Sequence, residues 1–297
     1  MLIQNRVPIK DIFNRTWKLL VSITLFSIFV TIVHHYSDTD IREIIDIPAS
    51  IPALLGAAIS LFLGFITNSA YDRWWEARKL WGAIVNDSRS WARQVSTMCP
   101  PKYQKFLIYR QIAWCYVLSN MLRKRDELNE LEDLLTNDDI DKIRVHDHRP
   151  NAILQLQGRT IKSLKEDGEI TDFQYLEMEK TLVRLTNHMG GCERIKNTVF
   201  PTQYSFFVHL FILLFLYILP LGVINDLEYL TVPFTVILAL VFLMVETFEV
   251  SMQDPFDGEP TDTPVTAISR TIDRNLRQMA GDETVPEKLG PISGVLM

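Results

Sequence analysis

Hydrophobic residues of the chain are concentrated in four runs, separated by polar stretches. The runs cover residues 19–33, 52–71, 205–224 and 230–245. A helix of roughly 20 apolar residues crosses the hydrocarbon core of a bilayer. Trp17 and Tyr36 flank the first run, as aromatic residues do at a membrane interface. The pattern therefore predicts four transmembrane helices, the last two joined in a hairpin by residues 225–229.

The stretch between the second and third runs has helical periodicity and lacks the alternation that marks a β-strand. Pro100-Pro101 predicts a break between two of its helices. Further helices are predicted over residues 151–164, 171–187 and 267–279. Thr171 or Asp172 is the expected cap of the second of these. We thus expect an all-α membrane protein with a large helical cytosolic region.

The charges of the loops predict the orientation. The loops at 38–46 and 225–229 are acidic, whereas basic residues precede the first run and follow the second. The positive-inside rule then places both termini and the helical region in the cytoplasm, as in a multi-pass protein of a bacterial inner membrane. The expected segments are an amphipathic surface segment (1–18), transmembrane helices 1 and 2 (19–75), the cytosolic region (76–203), transmembrane helices 3 and 4 (204–246) and a cytosolic C-terminal segment (247–297).

Charge and motif content argue against several other classes of protein. The formal net charge of −6 provides no basic surface for nucleic acid. The sequence contains neither the glycine-rich loop that binds nucleotide phosphates nor the G-x-S-x-G motif of hydrolases. His146 and His148 form the one compact histidine pair, and we expect them to be solvated in a loop. We therefore predict no enzyme activity, no cofactor and no metal site.

One face of the second run changes from apolar to polar along its length. At helical spacing its members are Ala57, Leu61, Phe65, Asn68 and Asp72. Polar groups at membrane depth normally face a water-filled cavity. This stripe therefore favours a helix that lines a pore.

Ordinary helix packing remains an alternative for the same run. A row of small residues runs beside the stripe: Gly56, Ser60 and Gly64. Such a row is typical of helices that pack closely in a membrane. In this interpretation Asp72 lies at the cytoplasmic boundary and pairs with Arg73 or Arg78.

Several segments together resemble the bestrophin channels, specifically their bacterial branch. In chain order they are LFLGFITNSAYDRWWEARKLWG (61–82), GGCERI (190–195), Phe200-Pro201 and DPF (254–256). The motif residues in the second segment are Gly190, Gly191, Cys192, Glu193 and Arg194. The resemblance covers about residues 5–280 and implies a homopentamer around one central pore.

The resemblance also implies two constrictions. A hydrophobic neck in the membrane matches Ala57, Leu61 and Phe65. The family usually has a bulkier residue at the first position, so Ala57 implies a wider upper neck. The second constriction lies in the cytosolic portion and matches Leu176, with Tyr175 as the alternative.

The function implied by the resemblance is conduction of monovalent ions. We favour chloride, which eukaryotic members conduct. Because bacterial members have been regarded as able to pass cations, and fivefold Asp72 favours them, a sodium channel is the alternative. A membrane-anchored scaffold without transport is the alternative of another class. The expected partners are further copies of the chain, the lipid bilayer and permeant inorganic ions.

Eukaryotic members carry a calcium clasp built partly from acids that follow the fourth membrane helix. Here Pro255, Gly258 and Pro260 interrupt the corresponding run. Its spacing also differs from the calcium-binding EF-hand loop. We therefore expect solvated acids and no calcium control.

Overall fold

The computed structural model describes residues 9–38, 47–126, 128, 131, 133–198 and 202–291 of the 297-residue chain. These residues form helices and no β-strand, which confirms the all-α class. In chain order the helices are α1 (Ile9–Tyr36), α2 (Ser50–Met98), α3 (Pro101–Leu122), α4 (Asn137–Arg144), α5 (Arg149–Glu166), α6 (Asp172–Asn197), α7 (Thr202–Leu227), α8 (Thr231–Gln253) and α9 (Val265–Met279).

Some of the sequence predictions fall outside the described residues. They concern residues 1–8 of the N-terminal segment, residues 39–46 of the first acidic loop, the Phe200-Pro201 match and residues 292–297.

Three helical stretches in the described part of the chain are long and apolar enough to cross a membrane: Phe13–Tyr36, Ser50–Met98 and Gln203–Gln253. The third contains both α7 and α8, which a 3₁₀ turn at Glu228–Leu230 separates. His209 Nδ1 lies 2.7 Å from Glu246 Oε1. The rings of Phe215 and Phe242 are 5.1 Å apart. Because these two pairs join the helices in opposite chain directions, α7 and α8 pack antiparallel.

The chain divides into two compact units. The apolar unit comprises the described parts of Arg6–Arg73 and Val199–Gln253. Its core is aliphatic and aromatic and draws on α1, the first half of α2, α7 and α8. The buried members of this core are Ile23, Ile59, Leu63, Ile66, Val208, Ile212, Phe215, Leu216, Leu219, Ala239 and Leu243.

The polar unit comprises the described parts of Trp74–Thr198 and Asp254–Met297. Three tryptophans, Trp81, Trp91 and Trp114, are completely buried at its centre. Ion pairs add to this core. The guanidinium of Arg110 binds the carboxylate of Asp139 at 2.6 Å, and both side chains are buried.

Helix boundaries in the polar unit agree with the sequence in part. The break at Pro100-Pro101 is confirmed, and Thr171 caps α6 in a capping box with Gln174. The prediction that this helix ends near Asn187 is wrong, because α6 continues to Asn197. The pair Gly190-Gly191 lies inside the helix, and a Cβ added at Gly191 would lie 2.9 Å from the side chain of Leu80, whereas one at Gly190 would meet no atom within 4 Å.

Candidate functional site

The apolar-to-polar stripe of α2 occupies a narrow arc of the helix. At about 100° per residue, the five side chains fall within an arc of roughly 80°. The side chains that α2 buries in the apolar unit are Ile59, Leu63, Ile66 and Ala70, each at most 4% exposed. Their mean direction is about 170° from that of the stripe. The stripe therefore points away from the packing of its own unit.

Side-chain exposure agrees with this direction. Leu61 is 59% exposed and Phe65 is 61% exposed, and Ala57 is exposed as well. Large apolar side chains that nothing covers mark a surface that contacts lipid, another protein or a ligand. The predicted neck residues thus share one face, and no part of the described chain packs over them.

The polar end of the stripe is exposed too. Asn68 and Asp72 both lie open on α2. Arg73 donates from Nε to the carbonyl oxygen of Gln253, at 2.9 Å, so this donor is not directed to Asp72.

The small-residue row beside the stripe serves two purposes. A Cβ added at Gly56 would lie 3.0 Å from the ring of Phe215, so α2 and α7 approach closely there. A Cβ at Gly64 would meet no atom within 4 Å. Ser60 and Gly64 instead line an open cavity of about 540 Å³ between α2 and α8. Close packing of α2 against α7 thus explains the glycine at position 56, but it does not explain the glycine at position 64.

The residues matched to the second constriction lie on α6, in the polar unit. Leu176 is 52% exposed, whereas Tyr175 packs partly against the core and lies under the ammonium of Lys165 at 5.3 Å. Phe173, one turn before Leu176, is exposed on the same face.

The GGCERI segment lies near the C-terminal end of α6. A Cβ at Gly191 would approach the side chain of Leu80 to 2.9 Å, so this glycine allows α6 to pack closely on α2. Cys192 is buried, and burial raises the pKa of its thiol to about 12. Glu193 binds His148, and Arg194 binds Glu76. The segment therefore joins helices within the polar unit.

Two sequence interpretations need correction here. The expectation that His148 is simply solvated is wrong, because its Nδ1 accepts a bond from the backbone of Asn151 at 3.2 Å and its Nε2 lies 2.7 Å from Glu193. The expectation of solvated acids is wrong for Glu249 and Asp262, which are buried. Asp254 and Asp257 bind the Lys196 ammonium, at 2.6 and 2.7 Å.

Lys196 supplies the positive charge within this acidic segment. Burial lowers the pKa of Lys196, but the hydrogen bonds to Asp254 and Asp257 outweigh burial and hold it above its ordinary value. The hydrogen bond from Lys196 in turn lowers the pKa of Asp257. Among the described residues no cluster of three or more histidine, cysteine or acidic side chains has the arrangement of a metal site.

Comparison with known proteins defines the class of this membrane protein. The model of the bacterial and fungal bestrophin family matches residues 7–278. The chain belongs to this family, which confirms the resemblance. The family match and its channel-forming relatives also confirm that the chain is not an enzyme.

Individual relatives are similar over most of their length. The voltage-dependent anion channel-forming protein YneE of Escherichia coli K12 is 32% identical over 240 residues, which are 80% of this chain and 79% of the relative. A protein of the same description from Nostoc, alr2987, is 26% identical and covers 90% and 87%. The crystal structure of a bacterial bestrophin homologue from Klebsiella pneumoniae superposes with a TM-score of 0.84 at 31% identity, covering 89% of this chain and 98% of that one.

Proposed function

We propose that this chain is a bestrophin-type channel that assembles as a homopentamer in a bacterial inner membrane and conducts monovalent ions, with chloride favoured. Its relatives are described as anion channel-forming proteins. The observation that carries the proposal is the α2 stripe, which lies opposite the buried face of its helix. Five copies of such a face around one axis enclose a lumen that is apolar at the waist and polar below.

In this proposal the membrane is crossed four times. The helices α7 and α8 have 26 and 23 residues, so each is long enough to cross by itself. Residues 19–75 and 204–246 form the membrane part, and residues 1–18 lie on its surface. Residues 76–203 and 247–297 are cytosolic, with both termini on that side.

The neck is formed by rings of Ala57, Leu61 and Phe65. An apolar ring passes ions only while it holds water, and it can close by dewetting. The small first residue makes the upper ring the widest of the three. On the cytosolic side Leu176 forms the second constriction, because it is more exposed than Tyr175.

A sodium-conducting channel of the same fold is the second candidate, and Asp72 favours it. Five exposed carboxylates attract cations to a pore entrance. An apolar neck has no charge and does not choose between the two signs. The sign of the permeant ion is therefore decided below the neck.

Reversal potentials of the purified protein in planar bilayers under a sodium chloride gradient test the proposal. A reversal potential toward the equilibrium potential of chloride supports an anion channel, and one toward that of sodium supports the cation alternative. Asp72→Asn should shift the reversal potential toward chloride. Asp141→Asn, at an exposed position on α4, is the control and should leave it unchanged.

Assembly is tested on the same preparation by native mass spectrometry in mild detergent. A mass of five chains is expected. A folded protein that is monomeric or that carries no current would contradict the proposal and favour a scaffold.

A further inference from the structure

A polar cavity of about 580 Å³ lies in the polar unit between α3 and α9. Pockets of roughly 300–1,000 Å³ hold organic ligands in other proteins. Three arginines line it, Arg125, Arg270 and Arg277, and three aspartates also line it, Asp126, Asp133 and Asp273. The cavity shares no lining residue with the stripe of α2 or with the GGCERI segment.

One aspartate and one arginine of the lining already neutralise each other. Asp273 accepts a hydrogen bond from the hydroxyl of Tyr116 at 2.9 Å and another from Nε of Arg277 at 2.7 Å. Arg270 approaches the same carboxylate only to 4.0 Å, and its own Nε is buried without a hydrogen-bond partner. Arg270 therefore retains donors for another acceptor.

A further arginine lies beside the cavity. Arg123 is 8% exposed and donates from Nη1 to the hydroxyl of Thr266, which lines the cavity, while its Nε and Nη2 have no partner. Burial and the charge of Arg125 lower the pKa of Arg123 to about 10, and Asp262 opposes this effect. The carboxylate of Asp262 is bound by the backbone N–H groups of residues 258 and 259.

The remaining acids of the lining do not neutralise these arginines. Asp126 and Asp133 are exposed, and Asp126 accepts a bond from the backbone N–H of Leu128 at 3.2 Å. No ion pair within the described chain joins either carboxylate to Arg125 or Arg270. The Nε of Arg270 and the Nε and Nη2 of Arg123 are buried without acceptors. Because buried donors without acceptors are costly, this arrangement favours a bound anion.

We propose that this cavity binds a polyvalent organic anion with phosphate or carboxylate groups, held by the guanidinium groups of Arg125 and Arg270. A guanidinium donates two parallel hydrogen bonds to either kind of group, which makes arginine the preferred residue for such ligands. The hydroxyl of Thr266 positions Arg123, whose charge adds to the attraction.

Isothermal titration calorimetry of the full chain in detergent tests the proposal, with pyrophosphate in one arm and citrate in the other at fixed ionic strength. Saturable binding of at least one anion is expected. The anion that binds with the higher affinity identifies whether the cavity prefers phosphate or carboxylate groups. Arg125→Gln and Arg270→Gln should each weaken binding by roughly tenfold or more. Arg144→Gln removes an equal charge from an exposed position on α4 and should leave the affinity unchanged.

Circular dichroism of each variant separates loss of the ligand from loss of the fold. If Arg270→Gln does not fold, Arg125→Gln at its exposed position still provides the test. The proposal is overturned if neither anion binds, or if Arg144→Gln weakens binding as much as the two cavity variants. Since binding is measured without ion flux, the result is independent of whether the chain conducts.

Discussion

The apolar unit and the polar unit of this chain differ in how far they expose their large hydrophobic side chains. Most of the large apolar side chains that stay exposed in the described residues belong to the apolar unit, with Leu25, Phe29 and Ile237 among them. In the polar unit three tryptophans, Trp81, Trp91 and Trp114, are fully buried. The first surface is stable only in contact with lipid or with other copies of the chain, whereas the second suits water.

The interiors differ as well. The polar unit contains buried or half-buried ion pairs, such as Arg110 with Asp139 and Arg184 with Asp87. The corresponding contact among the described residues of the apolar unit joins His209 and Glu246, and it is an ion pair only when the imidazole is protonated. Charged substitutions and pH should therefore act mainly on the polar unit, and changes of the exposed apolar face should act mainly on function.

The largest expected effect on stability comes from breaking the buried ion pair of the polar unit. Arg110→Ala leaves Asp139 charged and buried, and we expect a loss of about 3–5 kcal/mol in the free energy of unfolding. Arg144→Ala removes an exposed pair with Asp141 and should cost under about 1 kcal/mol. Denaturant titration followed by tryptophan fluorescence measures both. Equal losses would show that burial of the pair is unimportant.

A smaller effect is expected from Asp262, whose carboxyl is buried. Burial raises its pKa to about 6, well above that of an unfolded aspartate. A raised pKa in the folded state makes the group stabilising at low pH, and this contribution is lost as the pH rises from about 4 to 6. Across this window the stability of the wild type relative to Asp262→Asn should fall by about 2–3 kcal/mol. Asp257→Asn, whose carboxyl has a lowered pKa, is the control and should show no such fall.

Neighbouring glycines of α6 provide a matched pair with a smaller effect. Gly191→Ala forces a methyl group against Leu80 and should destabilise the protein by about 1–3 kcal/mol. Gly190→Ala meets no atom within 4 Å and should stabilise it by about 0.5–1 kcal/mol, because alanine favours a helix. Thermal unfolding of the two variants measures the difference. Effects of the same sign would contradict the close packing of α6 on α2.

The smallest expected effect on stability comes from the exposed face of the apolar unit. Leu61→Ala and Phe65→Ala remove side chains that nothing in the described part of the chain covers, so the free energy of unfolding should change by under about 1 kcal/mol. Ion flux into liposomes should nevertheless rise, because a wider apolar ring dewets less readily. Leu63→Ala, on the buried face, should instead destabilise the protein by about 2–5 kcal/mol. Unchanged flux in both ring variants would remove the neck from the proposal.

Sequence periodicity was sufficient to predict features that depend only on residues within one helix. The stripe of α2 and the cap at Thr171 follow from residues three and four positions apart, and the family followed from local segments such as GGCERI. The interactions of Lys196 and His148 could not be predicted in this way. Their partners lie 45 to 61 residues away in the chain, and no local pattern connects them.

The end of α6 shows a second limit. A pair of glycines normally weakens a helix, so local propensity favours an end near Asn187. Packing against Leu80 overrides that propensity, since the absent side chain at Gly191 is what allows the helices to approach. Such a contact depends on another helix and therefore cannot be predicted from the periodicity of one helix.

Cysteine accessibility along α2 tests the central claim most directly. Single cysteines at Leu61 and Phe65 are compared with cysteines at Ile59 and Leu63, using a membrane-impermeant charged thiol reagent during current recordings in planar bilayers. The native Cys99, Cys115 and Cys192 are buried, with their thiol pKa values raised by burial, so they should not interfere. We predict that the reagent alters the current at positions 61 and 65 and has no effect at 59 and 63. Reaction at 59 and 63 alone, or no change in current at any of the four positions, would contradict a pore lined by this face of α2.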